Sequence, residues 1–139
     1  MTDATETTRA LIADLFARYE EGDSGPFFEH VADDVRWTVM GRHPLAGAYT
    51  SKQEFLDATY ERLARVLAEP VRPTVTRIIA DGEWAVVQWR GTAPTREGEP
   101  YDNVFCWVIR VVDGRITEVT AYLDSVAVVE LFESVGEGA

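Results

Sequence analysis

Apolar residues in the first half of the chain recur mainly at helical spacing. Leu11, Ile12, Leu15, Phe16 and Tyr19 fall on one stripe, and Asp3 with Glu6 forms a capping box ahead of them. This pattern predicts a first helix ending at Gly22. Ser24 and Pro26 open a short second helix with Phe27, Phe28 and Val31 inward, closed by Asp33-Asp34. Residues 35–40 alternate instead, with Val35, Trp37 and Val39 on one face, as a strand does. Gly41 to Gly47 reads as a loop. Ser51 with Glu54 repeats the capping box and starts a long helix, with Phe55, Thr59, Leu63 and Val66 on one stripe and Leu56 and Tyr60 beside it. Pro70 ends that helix.

From residue 71 the period changes to two, and four strands are predicted: about 71–80, 83–92, 101–112 and 115–123. Asp81-Gly82 and Asp113-Gly114 are tight turns. Asp-Gly between alternating apolar runs is a strong hairpin signal, because both turn residues tolerate positive φ. Residues 93–100 read as a polar hairpin loop, 124–133 as a last helix, and 136–139 as a frayed tail. There is no internal repeat. The order is helix, helix, strand, helix, then an antiparallel meander, which predicts a single α+β domain over 1–139. A curved sheet wrapped around the long helix would enclose a conical cavity.

Composition narrows the function classes. Of 139 residues, 46% are apolar, with four Trp, five Tyr and six Phe, so the chain can build a packed core. Its net charge of -11 argues against nucleic acid and anionic membrane surfaces, which are bound through Lys and Arg. Cys106 is the one cysteine. It excludes an intrachain disulfide and a cysteine zinc site, and its apolar strand predicts a buried, inert thiol. No apolar stretch reaches the ~18 residues of a membrane span, and the polar N-terminus does not read as a signal peptide, so the expected location is cytoplasmic. No nucleotide loop, metal-ligand spacing or nucleophile elbow is present, and no cofactor or metal is expected.

Four segments carry a family likeness: Gly22-Asp23, Ala32-Asp33-Asp34-Val35, His43-Pro44-Leu45-Ala46-Gly47, and DGRITEVTAYLD from Asp113 to Asp124. In this order and spacing the chain resembles the nuclear transport factor 2-like superfamily, in its SnoaL-like branch related to polyketide cyclases and ketosteroid isomerases. The likeness runs from about residue 6 to 133. It implies a cone-shaped α+β fold. It also implies a cavity that Asn103, Phe105 and Trp107 face, together with Val119, Ala121 and Leu123, and with Val86 and Gln88. A homodimer through the outer sheet face is implied as well, and suits a strand at 101–112 that is apolar on both sides.

Catalytic groups known in the family do not carry over. A ketosteroid-isomerase base would fall at Val39 and its tyrosine donor at Leu15. The charged groups of a limonene-epoxide hydrolase would fall at Val86, Gln88 and Ala121, with its supporting Tyr and Asn at Trp37 and Val39. A cyclase-type proton shuttle leaves His43, His30 and Asp124. His30 reads as surface and His43 as a turn residue that could rim the cavity. Asp124 reads as a helix N-cap more readily than as an acid. Asp102 alternates outward. The expected pocket is Trp37, Val39, Phe55, Gln88, Asn103, Phe105, Trp107, Ala121 and Leu123, with the amides of Gln88 and Asn103 orienting a ligand. Three readings follow. The first is binding of a small hydrophobic, polycyclic molecule. The second is an isomerase, cyclase or dehydratase using Asp124, His43 or Asp102. The third is a structural dimer with a filled cavity.

Overall fold

Six strands form one sheet, and the helices gather on its concave side. The computed structural model describes residues 3–96 and 98–134. The elements run α1 (Ala4–Glu20), α2 (Gly25–His30), β1 (Val31–Val39), β2 (Gly47–Tyr49), α3 (Lys52–Ala58), α4 (Tyr60–Val66), β3 (Arg72–Asp81), β4 (Trp84–Ala93), β5 (Tyr101–Val112), β6 (Arg115–Leu123) and α5 (Ser125–Ser134). Strand order is β2-β1-β6-β5-β4-β3. All neighbours are antiparallel except β1 and β6, which run parallel. The fold is mixed α+β with a curved open sheet, as the pattern of periods implies. The tail at 136–139 lies outside the described residues.

Local chemistry sets the ends of the elements. The Asp3 carboxylate accepts the Glu6 N–H at 2.8 Å, and the Ser51 hydroxyl accepts the Glu54 N–H at 3.0 Å. Asp113 and Gly114 both adopt positive φ, 51° and 76°, so the β5–β6 hairpin closes on two left-handed residues.

Three boundaries differ from expectation. The predicted long helix is broken at Thr59, where φ is -122° and ψ is -72°. The Thr59 hydroxyl donates to the Phe55 carbonyl at 2.7 Å, a local bond that competes with the helix ladder. The break lets α3 pack on β1 and β2 while α4 turns its Tyr60 and Leu63 to the cavity. Second, β1 starts at Val31, so the second helix is shorter than its spacing suggested. A register shift between Val31 and Arg36 absorbs the extra residues. Third, Gly47–Tyr49 pairs as β2, a strand not expected, which begins at the last residue of the predicted loop and extends the sheet past β1.

The core lies between α1, α2 and the concave face. Ile12, Leu15, Phe16 and Phe27 are fully buried against Val87, Ile109, Ile116 and Val119. Burying each such side chain contributes roughly 1.5–3 kcal/mol before entropy is counted. A second cluster joins α5 to the far end of the sheet through Val128, Leu131, Phe132, Leu45, Val66 and Tyr101.

Strand β4 corrects one expectation. Its concave residues are Ala85, Val87 and Trp89; Val86 and Gln88 face the convex side. Cross-strand partners share a face. Trp89 pairs with Phe105, and Val87 with Trp107. With Phe105 and Trp107 inward, the odd-numbered residues of β4 must point inward too. Cys106 is half-buried on the convex face rather than enclosed in the core.

Candidate ligand-binding site

The cavity follows from the broken helix and the curved sheet. It measures about 640 Å³ and opens between the end of α1, the segment after α4 and the β4–β5 loop. Its floor comes from β1, β5 and β6, which place Trp37, Val39, Phe105, Trp107, Ala121 and Leu123 side by side. Phe55 of α3 closes one wall by stacking on Trp37, ring centroids 3.8 Å apart. Trp89 stacks on Phe105 at 3.9 Å. Trp107 stands between them, nearly perpendicular to both tryptophans, with centroids 5.1 Å from each. Such offset and edge-to-face contacts make a stiff wall. The indole N–H groups of Trp37 and Trp89 are buried with no hydrogen-bond partner among the described residues.

Polar groups in this wall are few, and most are donors. The hydroxyls of Tyr19 and Tyr60 lie 2.6 Å apart, joining the end of α1 to the start of α4. Burial pushes the Tyr19 phenol up to about 12, opposed in part by the Tyr60 hydrogen bond. Burial also pushes Tyr60 well above its ordinary value, and the nearby Tyr19 adds to this. Both stay protonated at neutral pH. Tyr101 also lines the cavity, and burial raises it to about 12 against the lowering effect of the Asn103 hydrogen bond.

Seven of the nine expected pocket residues line the cavity: Trp37, Val39, Phe55, Phe105, Trp107, Ala121 and Leu123. The two amides do not. Gln88 sits on the convex face, its carbonyl accepting from Arg77 at 3.4 Å. Asn103 is buried but fully engaged. Its Nδ2 donates to the Tyr101 hydroxyl (2.8 Å) and the Asp124 carbonyl (3.2 Å), and its Oδ1 accepts from the Val104 and Asp124 N–H groups (2.7 and 3.0 Å). An amide offers two donors and two lone pairs. None is left for a ligand, so Asn103 is a clamp between β5 and the start of α5.

The expected acid/base candidates also stand apart from the cavity lining. The Asp124 carboxylate is exposed and accepts the Val126 and Ala127 N–H groups at 3.0 and 3.4 Å, as an N-cap does. His43 Nε2 bonds the Met40 carbonyl at 2.9 Å, and its Nδ1 accepts the Leu45 N–H at 3.1 Å. Both ring nitrogens are therefore occupied by the turn, and Nε2 carries the proton. Asp102 points outward and accepts from the Thr92 hydroxyl at 2.5 Å. His30 bonds the Pro26 carbonyl within its own helix. Among the described residues no group of three or more His, Cys, Asp or Glu is placed to hold a metal ion. No helix among the described residues is long and apolar enough to cross a membrane.

Comparison with known proteins fits this geometry. The SnoaL-like domain pattern matches residues 12–119. The chain belongs to the SnoaL-like family. It is 30% identical over 128 residues to the dimerizing cyclase phiC of a fungal species, covering 89% of this chain and 56% of that protein. It is also 30% identical over 108 residues to the dimerizing cyclase tstC of Talaromyces stipitatus, covering 74% of this chain and 48% of that one. The chain thus spans about half the length of these relatives. A crystal structure of an NTF2-like protein from Burkholderia thailandensis superposes with a TM-score of 0.76 at 21% identity, covering 90% of this chain and 96% of that one.

Sequence reasoning missed Trp89, Tyr19 and Tyr60 as cavity-lining residues. Tyr19 and Tyr60 lay in plain view on apolar stripes. Their pairing is a contact across 41 residues that no local period reveals.

Proposed function

We propose that this SnoaL-like domain binds a small, mostly hydrophobic ring compound through a carbonyl oxygen. The open 640 Å³ cavity, walled by stacked aromatics and supplied inside with tyrosine hydroxyls, carries the reading. That volume suits a molecule of two to four rings, since ligand pockets run roughly 300–1,000 Å³. The Tyr19–Tyr60 bond uses one of two hydroxyl protons. The other is left for an acceptor, and a ligand carbonyl fits. An open cavity of this size disfavours the filled-cavity alternative. Titration with 9-fluorenone, read by quenching of tryptophan fluorescence, tests the reading. Saturable quenching and a higher melting temperature are expected, with affinity falling ~10-fold in Tyr60→Phe. Absence of saturable binding by such ketones would refute it.

Catalysis of cyclase or isomerase type is the second reading, favoured by the two cyclase relatives. A protonated tyrosine pair at a carbonyl also stabilises an enolate oxygen. Glu69 is the one carboxylate lining the cavity among the described residues, so this reading assigns it the base. Deuterium exchange α to the carbonyl of 2-tetralone should then be accelerated, and lost in Glu69→Gln. An unaccelerated exchange rejects catalysis and leaves binding intact.

A homodimer through the convex face belongs to the same proposal. Ile79, Val86, Val108 and Thr120 form one cross-strand row there, and Cys106 pairs with Tyr122 in the next. Ile79 and Val104 are each 52% exposed. This row of apolar side chains on an open sheet face suits a second copy of the chain.

A further inference from the structure

Acidic residues outnumber Lys and Arg by 24 to 13 in this chain. The cavity mouth reverses that balance. Three charged side chains line the cavity among the described residues, Arg72, Arg96 and Glu69, and two of the three are cations.

Each guanidinium is held in place by backbone. Arg72 Nη2 donates to the Glu20 carbonyl at 3.0 Å, at the end of α1. Arg96 Nη2 donates to the Ala64 carbonyl at 3.0 Å, and its own N–H bonds the Val66 carbonyl at 3.1 Å. The Arg96 segment is further fixed by the Leu67–Thr95 bridge and by the Ala68 N–H donating to Pro94. Neither arginine forms an ion pair with a carboxylate among the described residues. The nearby Glu20 carboxylate is occupied by the Val75 N–H at 2.8 Å. A guanidinium has five N–H donors, so each keeps several for a ligand. Arg72 opens β3 and Arg96 lies in the β4–β5 loop, with Glu69 and Pro70 just ahead of Arg72 in sequence.

We infer that the cavity's ligand is an aromatic or polycyclic carbonyl compound bearing an anionic group, a carboxylate or an acidic enol. Its rings lie against Trp37, Trp89 and Trp107, and its anion is held at the mouth by Arg72 and Arg96. Charge-assisted bonds from arginine to a carboxylate are shorter and stronger than neutral ones, and arginine offers the planar fork such groups fit. Glu69 would repel a second anion, which favours one acidic group per ligand at this mouth. This inference rests on the binding reading above and specifies its ligand class.

Two probes with the same ring system separate the two claims: 2-naphthoate and its neutral methyl ester, titrated against the whole chain by tryptophan quenching. Naphthoate is expected to bind ~10-fold more tightly than the ester at low salt, and the preference should shrink as salt rises. Arg72→Gln and Arg96→Gln should each weaken naphthoate ~3–10-fold while changing the ester less than ~2-fold. Unchanged ester binding certifies that the cavity of each variant is folded. Arg18→Gln, an exposed arginine paired to Asp14 on α1, should change neither probe. Equal affinity for the two probes, or a preference that survives in the Arg72→Gln/Arg96→Gln double variant, overturns the anionic assignment and leaves the binding reading standing. Failure of both probes to bind overturns the binding reading, and this inference with it.

Discussion

The two faces of strands β4 and β5 look alike in sequence and behave differently in the fold. On the concave face Trp89, Phe105 and Trp107 lock into stacked and perpendicular contacts against α1 and α2. On the convex face Val86, Cys106 and Val108 are half-buried and Val104 is exposed. Hydrophobicity alone therefore does not say which face is the core. Shape does. Large flat rings gather where the sheet curves inward and leave a ligand-sized gap. Smaller β-branched residues spread over the convex side, where a flat partner surface can be met.

The sharpest way to break this comparison is to truncate one residue on each face. Trp107→Ala removes a ring that contacts Phe16, Phe27, Trp37 and Trp89, and should cost about 3–5 kcal/mol in urea unfolding. Val104→Thr on the convex face should cost less than ~0.5 kcal/mol in the monomer. Comparable costs would mean that the convex face is also a packed core.

High pH tests the concave face through its phenols. The unfolded tyrosine titrates at 10.0, and buried Tyr19 at about 12. A raised folded pKa gives stability that is whole below pH 10 and lost as pH climbs toward 12. Across that window Tyr19 alone should remove about 2–3 kcal/mol. Tyr19→Phe should flatten the alkaline limb of a denaturation series. An unchanged limb would mean that Tyr19 is not the group being titrated.

Val108→Glu probes the other face. It should convert a dimer into a folded monomer in sedimentation velocity, with ligand affinity changed less than ~2-fold, because a buried unpaired charge disrupts the interface and not the cavity. A wild-type chain that sediments as a monomer would remove the dimer from the account. The smallest effect belongs to Asp124. Since Asn caps nearly as well as Asp, Asp124→Asn should shift stability by only a few tenths of a kcal/mol, whereas Asp124→Ala should cost ~1 kcal/mol. A loss of ligand binding in Asp124→Asn would return Asp124 to the site.

Local grammar was legible along most of the chain. The capping residues Asp3 and Ser51, the Asp113-Gly114 turn and the alternation in β5 and β6 each depend on neighbours within a few residues, so the sequence carries them openly. That Trp37 and Val39 share a strand face, as do Phe105 and Trp107, is equally local; that Phe105 and Trp107 face inward followed from the family resemblance. What stayed hidden required a partner from far along the chain. The inward side of β4 is set by the pairing of Trp89 with Phe105, and both faces of that strand are apolar enough to be the inner one. Asn103 looks like a ligand-orienting amide until Tyr101, Val104 and Asp124 take up all four of its hydrogen-bonding positions.

Sequence by itself determined most of the elements, their order and the α+β class, because period, capping and turn chemistry are short-range; it joined α3 and α4 into one helix and left out β2. Tertiary structure decided the parallel seam between β1 and β6, the Tyr19–Tyr60 bond and the two arginines at the mouth. Each of these joins groups separated by many residues or depends on how packed elements curve around one another. Such contacts form only once the chain has closed on itself, so residue spacing alone cannot display them.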